Sequence, residues 1–370
     1  MFCTVVASLL LAVRLAPTDD VYERTPPPLV LTHADWLCYA QRHPLLAARY
    51  GMRTYAIRKY YNMRGRKMGH THIRCDESFT LPGLTGDAEQ QRRLTDSRQD
   101  CRGRRYGELY QQFHTDGYAI VTPCSFANDP SMMEQLSSFV RAEGGRERLQ
   151  DRWKTSDPLA ELVTRAATDP EMQGFLSFLH NDAQPVPFQT LNFKYGTAQP
   201  AHSDVVHFDT LPVRGRMTAS WLALEDIHAN SGPLFVYPGS QRLGLWDQAQ
   251  LGLEPDLPPT RTGGVENITQ YMRYHERLAS AMEAAGLRQH VAQMLKGDVI
   301  VWAASVIHGG TAIVDPGRTR LSMVTHYWLE PASHFWVPRL SPEDKHLHCK
   351  RPENWQQLAD RARERMAAAG

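Results

Sequence analysis

The feature of this 370-residue chain that most limits its fold is a succession of short apolar strands separated by turns instead of helices. Glycine, proline or polar residues bound the strands, and the last two are separated by VDPG, a sequence typical of a tight turn. A doubly wound parallel sheet needs a helix between successive strands. The pattern instead predicts a mainly β fold with flanking helices, arranged as an antiparallel barrel or jelly roll. The predicted strands lie within FQTLNFKY, MTASWLALEDI, GPLFVYPGS, GDVIVWAASVIH and RTRLSMVTHYWL.

Changes of composition along the chain predict its organisation. Three consecutive prolines mark an extended N-terminal spacer, and a stretch rich in Arg, Asp, Gln and Gly marks a linker. The predicted segments are a poorly ordered N-terminal segment (1–33), a small basic helical module (34–75), a polar linker (76–107), the β domain (108–340) with a helical insertion (241–290), and a C-terminal helix (341–370).

The net charge of +1 is the sum of two unlike regions. Residues 1–110 carry 17 basic and 11 acidic side chains, whereas the remainder carries 24 basic and 29 acidic ones. The near-neutral total excludes a globally cationic nucleic-acid binder. With 42% hydrophobic and 22% charged residues, the composition is that of a globular protein and argues against intrinsic disorder.

Six scattered cysteines without a CxxC pair indicate reduced thiols and a reducing compartment. The apolar run from Thr4 to Val13 is shorter than the roughly 20 residues that a membrane-spanning helix needs. No Lys or Arg precedes this run, as one would in a signal peptide. We therefore expect a cytoplasmic protein without a membrane span, with secretion as the alternative.

Two histidines and an aspartate have the composition of a metal site. In QPAHSDVVHF, His202 and Asp204 are two residues apart, so on a strand both side chains would point to one face. His308 ends the apolar stretch DVIVWAASVIH. Two histidines and one carboxylate that leave open positions form the facial triad of non-haem Fe(II) oxygenases. Spacing alone leaves alternatives, because His207 and Asp209 repeat the pattern in opposite phase and ordinary core or surface histidines also fit.

Two arginines follow the predicted turn after His308. If Pro316 centres a hairpin, Arg320 lies opposite a residue near 312, roughly 13 Å from His308 along the ladder. An arginine at this separation could hold the far carboxylate of a short diacid, because a guanidinium binds a carboxylate bidentately. Arg318 shares a face with Arg320, so periodicity does not choose between them, and both also fit solvated residues at a barrel rim.

From about residue 110 to 337, the chain resembles the phytanoyl-CoA dioxygenase family of Fe(II)- and 2-oxoglutarate-dependent oxygenases. The resemblance implies a double-stranded β-helix (cupin-like jelly roll) core and, as cofactors, Fe(II), 2-oxoglutarate and O2. It implies hydroxylation of a small-molecule substrate, lipid-like or a secondary metabolite, with release of succinate and CO2. The resemblance is carried, in this order, by FQTLNF, QPAHSDVVHF, ASWLALEDIHANSGPLFVYPGS, GDVIVWAASVIHGG and TRLSMVTHYW.

For the metal, the family pattern implies that His202, Asp204 and His308 are the iron ligands and the catalytic centre. It disfavours His207 and Asp209. An acid at position 204 fills the place that a halide would need, which favours hydroxylation over halogenation.

For the cosubstrate, the family pattern implies that Arg320 anchors 2-oxoglutarate, with Arg318 as the alternative. Trp221 stands where the family often has a tryptophan beside the cosubstrate. Gln189 and Asn192 stand on the strand that often lines its pocket. Simple core packing would explain these last three residues equally well.

The N-terminal module has a second, looser resemblance. DWLCYAQRHPLLAARYG…YAIRKYYNMRGRKMG (35–69) is similar to a two-helix module found beside various extracellular and glycan-related domains, but Lys67 stands where an acid is usual. Seven Lys or Arg between Arg53 and Arg74, interleaved with tyrosines, could contact phosphate, although a solvated basic helix face is the simpler explanation.

Two other functions therefore stay open on the sequence. One is a non-catalytic metal-binding barrel, and the other is a nucleic-acid-binding protein that acts through the basic module. Of the partners, we expect a small-molecule substrate and no nucleic acid. The sequence does not indicate whether the protein is a monomer or an oligomer.

Overall fold

The structure is a computed structural model that describes part of the chain. The described residues are 36, 39, 49, 54–65, 67–68, 87–143, 149–150, 158–212, 214–246, 251, 253, 265–330, 333–337 and 348–349. The predicted N-terminal segment (1–33) lies outside them, as does the predicted C-terminal helix apart from residues 348–349.

The described helices and strands alternate in groups along the chain. The helices are α1 (Thr54–Tyr60), α2 (Ala88–Leu94), α3 (Tyr106–Asp116), α4 (Cys124–Ala127), α5 (Pro130–Glu143), α6 (Pro158–Ala167), α7 (Pro170–Leu179) and α8 (Val265–Ala284). The strands are β1 (Tyr118–Val121), β2 (Leu149–Gln150), β3 (Gln184–Phe193), β4 (Asp209–Pro212), β5 (Met217–Ala223), β6 (Leu234–Val236), β7 (His290–Val291), β8 (Val299–Ala303), β9 (His308–Gly310), β10 (Ser322–Glu330), β11 (Ser333–Val337) and β12 (His348–Cys349).

The strands form one large sheet and two small ones. The main sheet has six antiparallel strands in the order β1-β8-β5-β10-β3-β2. A second sheet has the order β7-β6-β9, and a backbone bridge between His202 and His308 extends its edge. The third has the order β12-β11-β4. From β3 onward the chain passes back and forth between the main sheet and the small ones, which confirms the predicted mainly β fold with a jelly-roll core.

Helices cover the outer face of the main sheet. Phe126 of α4, Ala166 of α6 and Met172 of α7 face Met323 and Tyr327 of β10 across a small cavity. These residues belong to the largest cluster of buried apolar side chains, or adjoin it. The opposite, inner face of the sheet carries Gln189 and Trp221, two of the residues that the sequence assigns to the cosubstrate.

One predicted strand proves to be two. Strand β8 ends at Ala303 and β9 begins at His308, and they belong to different sheets. A turn separates them, closed by a hydrogen bond from the amide of Val306 to the carbonyl of Ala303. All residues of this stretch are buried, so hydropathy does not reveal the turn.

The predicted hairpin between His308 and Arg320 is wrong. Strand β9 pairs with β6, whereas β10 pairs with β5 and β3, so Arg320 does not lie opposite residue 312. The VDPG turn connects two sheets instead of two neighbouring strands. Arg320 is brought to the site by the main sheet, not by a ladder with the histidine strand.

The described part of the predicted linker packs against the β domain. Helix α2 begins after Asp87, whose side chain accepts a hydrogen bond from the amide of Gln90. Arg93 is buried and donates to the carbonyl of Phe178, and Asp100 is buried as well. Composition alone does not distinguish polar residues used in such contacts from solvated ones. The boundaries of the segments stay predictions.

Little of the N-terminal module is described. Its helix α1 is followed by a π-helical turn, and Trp36, Tyr39 and Tyr61 form a cluster of aromatic rings. Both sequence interpretations of this module stay predictions. Within the described part of the chain, no helix is long and apolar enough to cross a membrane.

Candidate metal centre

His202 and His308 are neighbours through their backbones. The amide of each donates to the carbonyl of the other, at 2.9 and 3.0 Å, and the two rings lie 4.4 Å apart. This bridge joins the segment before β4 to the start of β9. Two histidines that are about a hundred positions apart in the sequence are thereby held side by side.

Asp204 enters the site from a turn and not from a strand. It begins a 3-10 turn, Asp204–Val206, so the predicted strand through both His202 and Asp204 is wrong. The turn is held by Ser203, whose hydroxyl contacts the carbonyls of Leu245 and Ala304 and accepts from the amide of Val205. The hydroxyl competes for backbone hydrogen bonds, which explains why the chain leaves the extended conformation here.

The three side chains converge on one point. Asp204 Oδ1 lies 3.8 Å from His202 Nε2 and 3.6 Å from His308 Nε2. All three side chains are buried, and their donor atoms lie within 4.8 Å of one another. The structure therefore brings together the three residues that the sequence predicts as metal ligands, in an arrangement that could hold a metal ion.

Hydrogen bonds determine which nitrogen of each histidine could bind a metal. His202 Nδ1 lies 2.9 Å from the carbonyl of Pro200, and His308 Nδ1 lies 3.1 Å from that of Val306. Each Nδ1 therefore carries the proton, and each Nε2 presents a lone pair. Trp302 donates its indole N–H to Asp204 Oδ2 at 2.8 Å, which leaves Oδ1 toward the histidines.

The protonation states suit a metal site. Burial, followed by the proximity of His308 and His207, holds the pKa of His202 well below its usual range. Burial alone would raise the pKa of Asp204, but the adjacent histidines and the Trp302 hydrogen bond lower it overall. At neutral pH the site therefore contains a neutral imidazole at His202 and a carboxylate at Asp204.

A row of residues across the main sheet forms the wall beside this centre. Trp302, Ala219, His326 and Gln189 lie opposite one another on β8, β5, β10 and β3, so their side chains share a face. His326 Nε2 approaches Asp204 Oδ1 to 4.0 Å.

Arg320 and Arg318 have different surroundings. Arg320 is buried, and its guanidinium lies 5.7 Å from the ring of Trp221 and 5.8 Å from that of Phe193. It donates to the carbonyl of Gly232, while its Nε has no hydrogen-bond partner among the described residues. Burial lowers its pKa to about 10, so it stays charged at neutral pH. Arg318 is half exposed and pairs with Asp315.

Gln189 and Asn192 do not share a face. Gln189 lies opposite His326 on the inner side, and its buried Oε1 has no hydrogen-bond partner among the described residues. Asn192 lies opposite Met323, on the outer face of the sheet that the helices cover. Because the two are three positions apart on a regular strand, their side chains point to opposite sides. The structure thus places Gln189, but not Asn192, with Trp221 and Arg320.

The alternative pair, His207 and Asp209, lies after the turn that begins at Asp204. His207 follows Asp204–Val206, and its ring lies 5.2 Å from that of His202. Burial lowers its pKa to about 4. Asp209 begins β4, and its side chain is not among those described.

Sequence reasoning missed several residues around the centre. Gln199 presents its amide nitrogen 3.1 Å from His202 Nε2. Trp302 holds Asp204, and His326 approaches it. Position 199 lies three residues before His202 and could have been noticed, whereas nothing in the sequence connects Trp302 or His326 with Asp204.

The residues present fit the cofactors that the sequence predicts. Two imidazoles and one carboxylate are a suitable donor set for Fe(II) and leave open positions. The unpartnered polar atoms of Arg320 and Gln189, both on the inner side, suit a bound diacid.

A sequence model of phytanoyl-CoA dioxygenase matches residues 113–320, more than half of the chain. The chain belongs to the phytanoyl-CoA dioxygenase family. It is therefore a non-haem oxygenase that depends on Fe(II) and 2-oxoglutarate, and its structure contains a His-Asp-His group that could hold a metal ion. A search among proteins of curated function finds no match.

Solved structures with partial similarity include three proteins of low sequence identity. The "non-heme alpha ketoglutarate dependent epimerase SnoN from nogalamycin biosynthesis" is 18% identical, with a TM-score of 0.43, over 63% of this chain and 85% of SnoN. The carbocyclase SnoK, also from nogalamycin biosynthesis, is 14% identical, with a TM-score of 0.44, over 65% of this chain and 92% of SnoK. EctD from S. alaskensis is 18% identical, with a TM-score of 0.42, over 60% of this chain and 76% of EctD.

Proposed function

We propose that this member of the family is a hydroxylase of a small organic substrate, lipid-like or a secondary metabolite, with His202, Asp204 and His308 as its iron ligands. The observation that carries the proposal is the convergence of two imidazole lone pairs and one carboxylate oxygen at a buried point. The convergence favours an enzyme over the non-catalytic barrel because open positions remain on one side of this donor set.

The residues of the chain prepare the metal site before any ion binds. Hydrogen bonds from Nδ1 to backbone carbonyls fix both imidazoles in the tautomer that binds metal through Nε2. Trp302 donates a hydrogen bond to Asp204 Oδ2, so the other carboxylate oxygen, Oδ1, is the one that would bind the metal. Asp204 also fills the position that a halide would take, which supports hydroxylation over halogenation.

Arg320 is our proposed anchor for 2-oxoglutarate. It is buried, charged and partly unpartnered, whereas Arg318 already pairs with Asp315 at the surface. Trp221 lies beside its guanidinium, and Gln189 stands on the row of residues that faces the metal centre. Arg320 would bind the far carboxylate bidentately, and Gln189 would contact the end of the cosubstrate nearer to Asp204.

When bound, Fe(II) and 2-oxoglutarate supply oxidative decarboxylation, in which one oxygen atom of O2 enters succinate, the other enters a C–H bond of the substrate as hydroxyl, and CO2 leaves. The chain contributes orientation and exclusion of water. His202, Asp204 and His308 are each about 5% exposed or less, so bulk water has little access to the donor atoms.

The test is a turnover assay with a pool of small lipid-like compounds and secondary metabolites under 18O2 gas. We expect substrate-stimulated succinate formation and a product that is heavier by one 18O atom. His308→Ala serves as the matched inactive control. A product without added oxygen would contradict the hydroxylase, even if succinate formed, and would indicate another oxidative outcome.

A further inference from the structure

Helix α8 contacts the backbone on both sides of His202. The hydroxyl of Tyr274 accepts a hydrogen bond from the amide of Ser203 at 3.2 Å. His275 Nδ1 lies 2.8 Å from the carbonyl of Ala201 and donates to it. The carbonyl of Ala201 and the amide of Ser203 belong to the two peptide groups that flank His202. Adjacent residues of one helix therefore hold both peptide groups.

The same helix packs against residues next to the other two metal-binding side chains. Tyr274 is fully buried and belongs to one apolar cluster with Val206 and Ile307. Val206 lies two residues after Asp204, and Ile307 immediately precedes His308. Leu278 and Met282 follow Tyr274 at four-residue intervals and bury the same side of the helix.

These contacts bear directly on the direction of the imidazole. The orientation of a metal-binding side chain depends on the backbone that carries it, and metal sites need their donor atoms held to within about 0.5 Å. His202 lies on a single backbone bridge outside any regular strand, so its conformation depends on neighbouring contacts.

We propose that Tyr274 and His275 are positioning residues, through which helix α8 of the 241–290 insertion sets the orientation of His202 at the metal centre. The inference rests on the proposed function, because it takes His202 as a metal ligand. It assigns a role to an insertion for which the sequence predicts only a long polar segment with one helix.

The experiment uses the full-length chain and Co(II) as the probe, under anaerobic conditions. Tyr274→Phe removes one hydroxyl and keeps the ring. His275→Leu removes the donor to Ala201, whereas His275→Asn keeps a donor where Nδ1 stands. Met272→Ala, at an exposed position of the same helix, is the matched control, and His202→Ala is the reference for loss of a ligand.

We expect Tyr274→Phe and His275→Leu each to weaken Co(II) binding by about 10- to 100-fold, the range for residues that orient metal ligands. The visible ligand-field spectrum of bound Co(II) should shift, because it responds to the angles between donor atoms. His275→Asn should restore most of the affinity and the wild-type spectrum, and Met272→Ala should leave both unchanged. Circular dichroism of the metal-free proteins separates these effects from unfolding.

Wild-type affinity and spectrum in both Tyr274→Phe and His275→Leu would overturn the inference. If His275→Leu does not fold, the Tyr274→Phe result decides. If His202→Ala itself binds Co(II) like the wild type, the proposed ligand set fails, and the positioning role fails with it. If His202→Ala loses Co(II) binding while Tyr274→Phe and His275→Leu bind Co(II) like the wild type, only the positioning role is contradicted.

Discussion

At the scale of single residues, the site is organised by hydrogen bonds that determine which atom of each side chain could bind a metal. Backbone carbonyls accept hydrogen bonds from Nδ1 of both histidines, and the indole N–H of Trp302 donates a hydrogen bond to one oxygen of Asp204. The HxD motif and the later histidine suggested three candidate ligands but left His207 and Asp209 as alternatives, and the resemblance to the family chose between them. Trp302 could not be predicted, because its partner is about a hundred residues away and a tryptophan in an apolar strand is explained equally well by packing.

Gln199 should compete with the metal. Its amide hydrogen bonds to His202 Nε2, and this bond must break before Nε2 can bind an ion. A hydrogen bond of this kind contributes roughly 0.5–1.5 kcal/mol net, so Gln199→Ala should bind Fe(II) about 2- to 10-fold more tightly. Anaerobic titration against a competing chelator measures this. Gln135→Ala, at an exposed position of α5, is the control, and weaker binding in Gln199→Ala would show that the amide assists the metal.

The two arginines should differ in their effect on 2-oxoglutarate. Hydrogen bonds to charged groups contribute about 1.5–3 kcal/mol each, so Arg320→Ala should raise the KM for 2-oxoglutarate by about tenfold or more. Arg318→Ala removes only a half-exposed ion pair and should leave the KM for 2-oxoglutarate nearly unchanged. Steady-state kinetics at saturating substrate separate the two. The reverse order would reassign the anchor to Arg318.

At the scale of secondary structure, alternation and turn residues predicted most strands, but not their partners. The stretch that contains β8 and β9 is buried throughout, so its turn is invisible to hydropathy. Asn192 was grouped with Gln189 because both lie on one strand, yet strand alternation places them on opposite faces. Residues 76–107 were assigned to a linker because they are polar, although several side chains in the described part of this segment form contacts within the fold.

Asp100 illustrates the difference. Its buried carboxylate accepts hydrogen bonds from the amides of Arg102, Arg104 and Thr122 and pairs with the guanidinium of Arg104 at 2.7 Å. Asp100→Ala should lower the free energy of unfolding by about 3 kcal/mol, because it leaves buried donors without an acceptor.

The comparison for this prediction is Glu108→Ala, which removes an exposed ion pair with Arg105 and should cost at most about 1 kcal/mol. Urea denaturation of both variants measures the difference. Equal, small losses would mean that the segment around Asp100 behaves as the linker that composition predicts.

At the scale of the whole molecule, the order of the motifs predicted a jelly roll, and the two-sheet arrangement explains how it builds the site. The small sheet and its flanking turn bring His202, Asp204 and His308 together. The main sheet supplies Trp221 and Gln189, and Arg320 lies two residues before its strand β10. The hairpin between His308 and Arg320 failed because it assumed that strands close in sequence pair. Helix α8 gave no signal of its role, since its contacts with the metal-binding segment depend on the tertiary fold.

The central claim is that one metal centre, formed by His202, Asp204 and His308, binds Fe(II) and allows 2-oxoglutarate to bind. The most direct measurement is the anaerobic stoichiometry of Fe(II) and 2-oxoglutarate bound by the wild-type chain and by Asp204→Ala. The wild type should bind one equivalent of each, and Asp204→Ala should lose Fe(II) and the metal-dependent part of 2-oxoglutarate binding. Wild-type stoichiometry in Asp204→Ala, or no Fe(II) bound by the wild type, would contradict the claim.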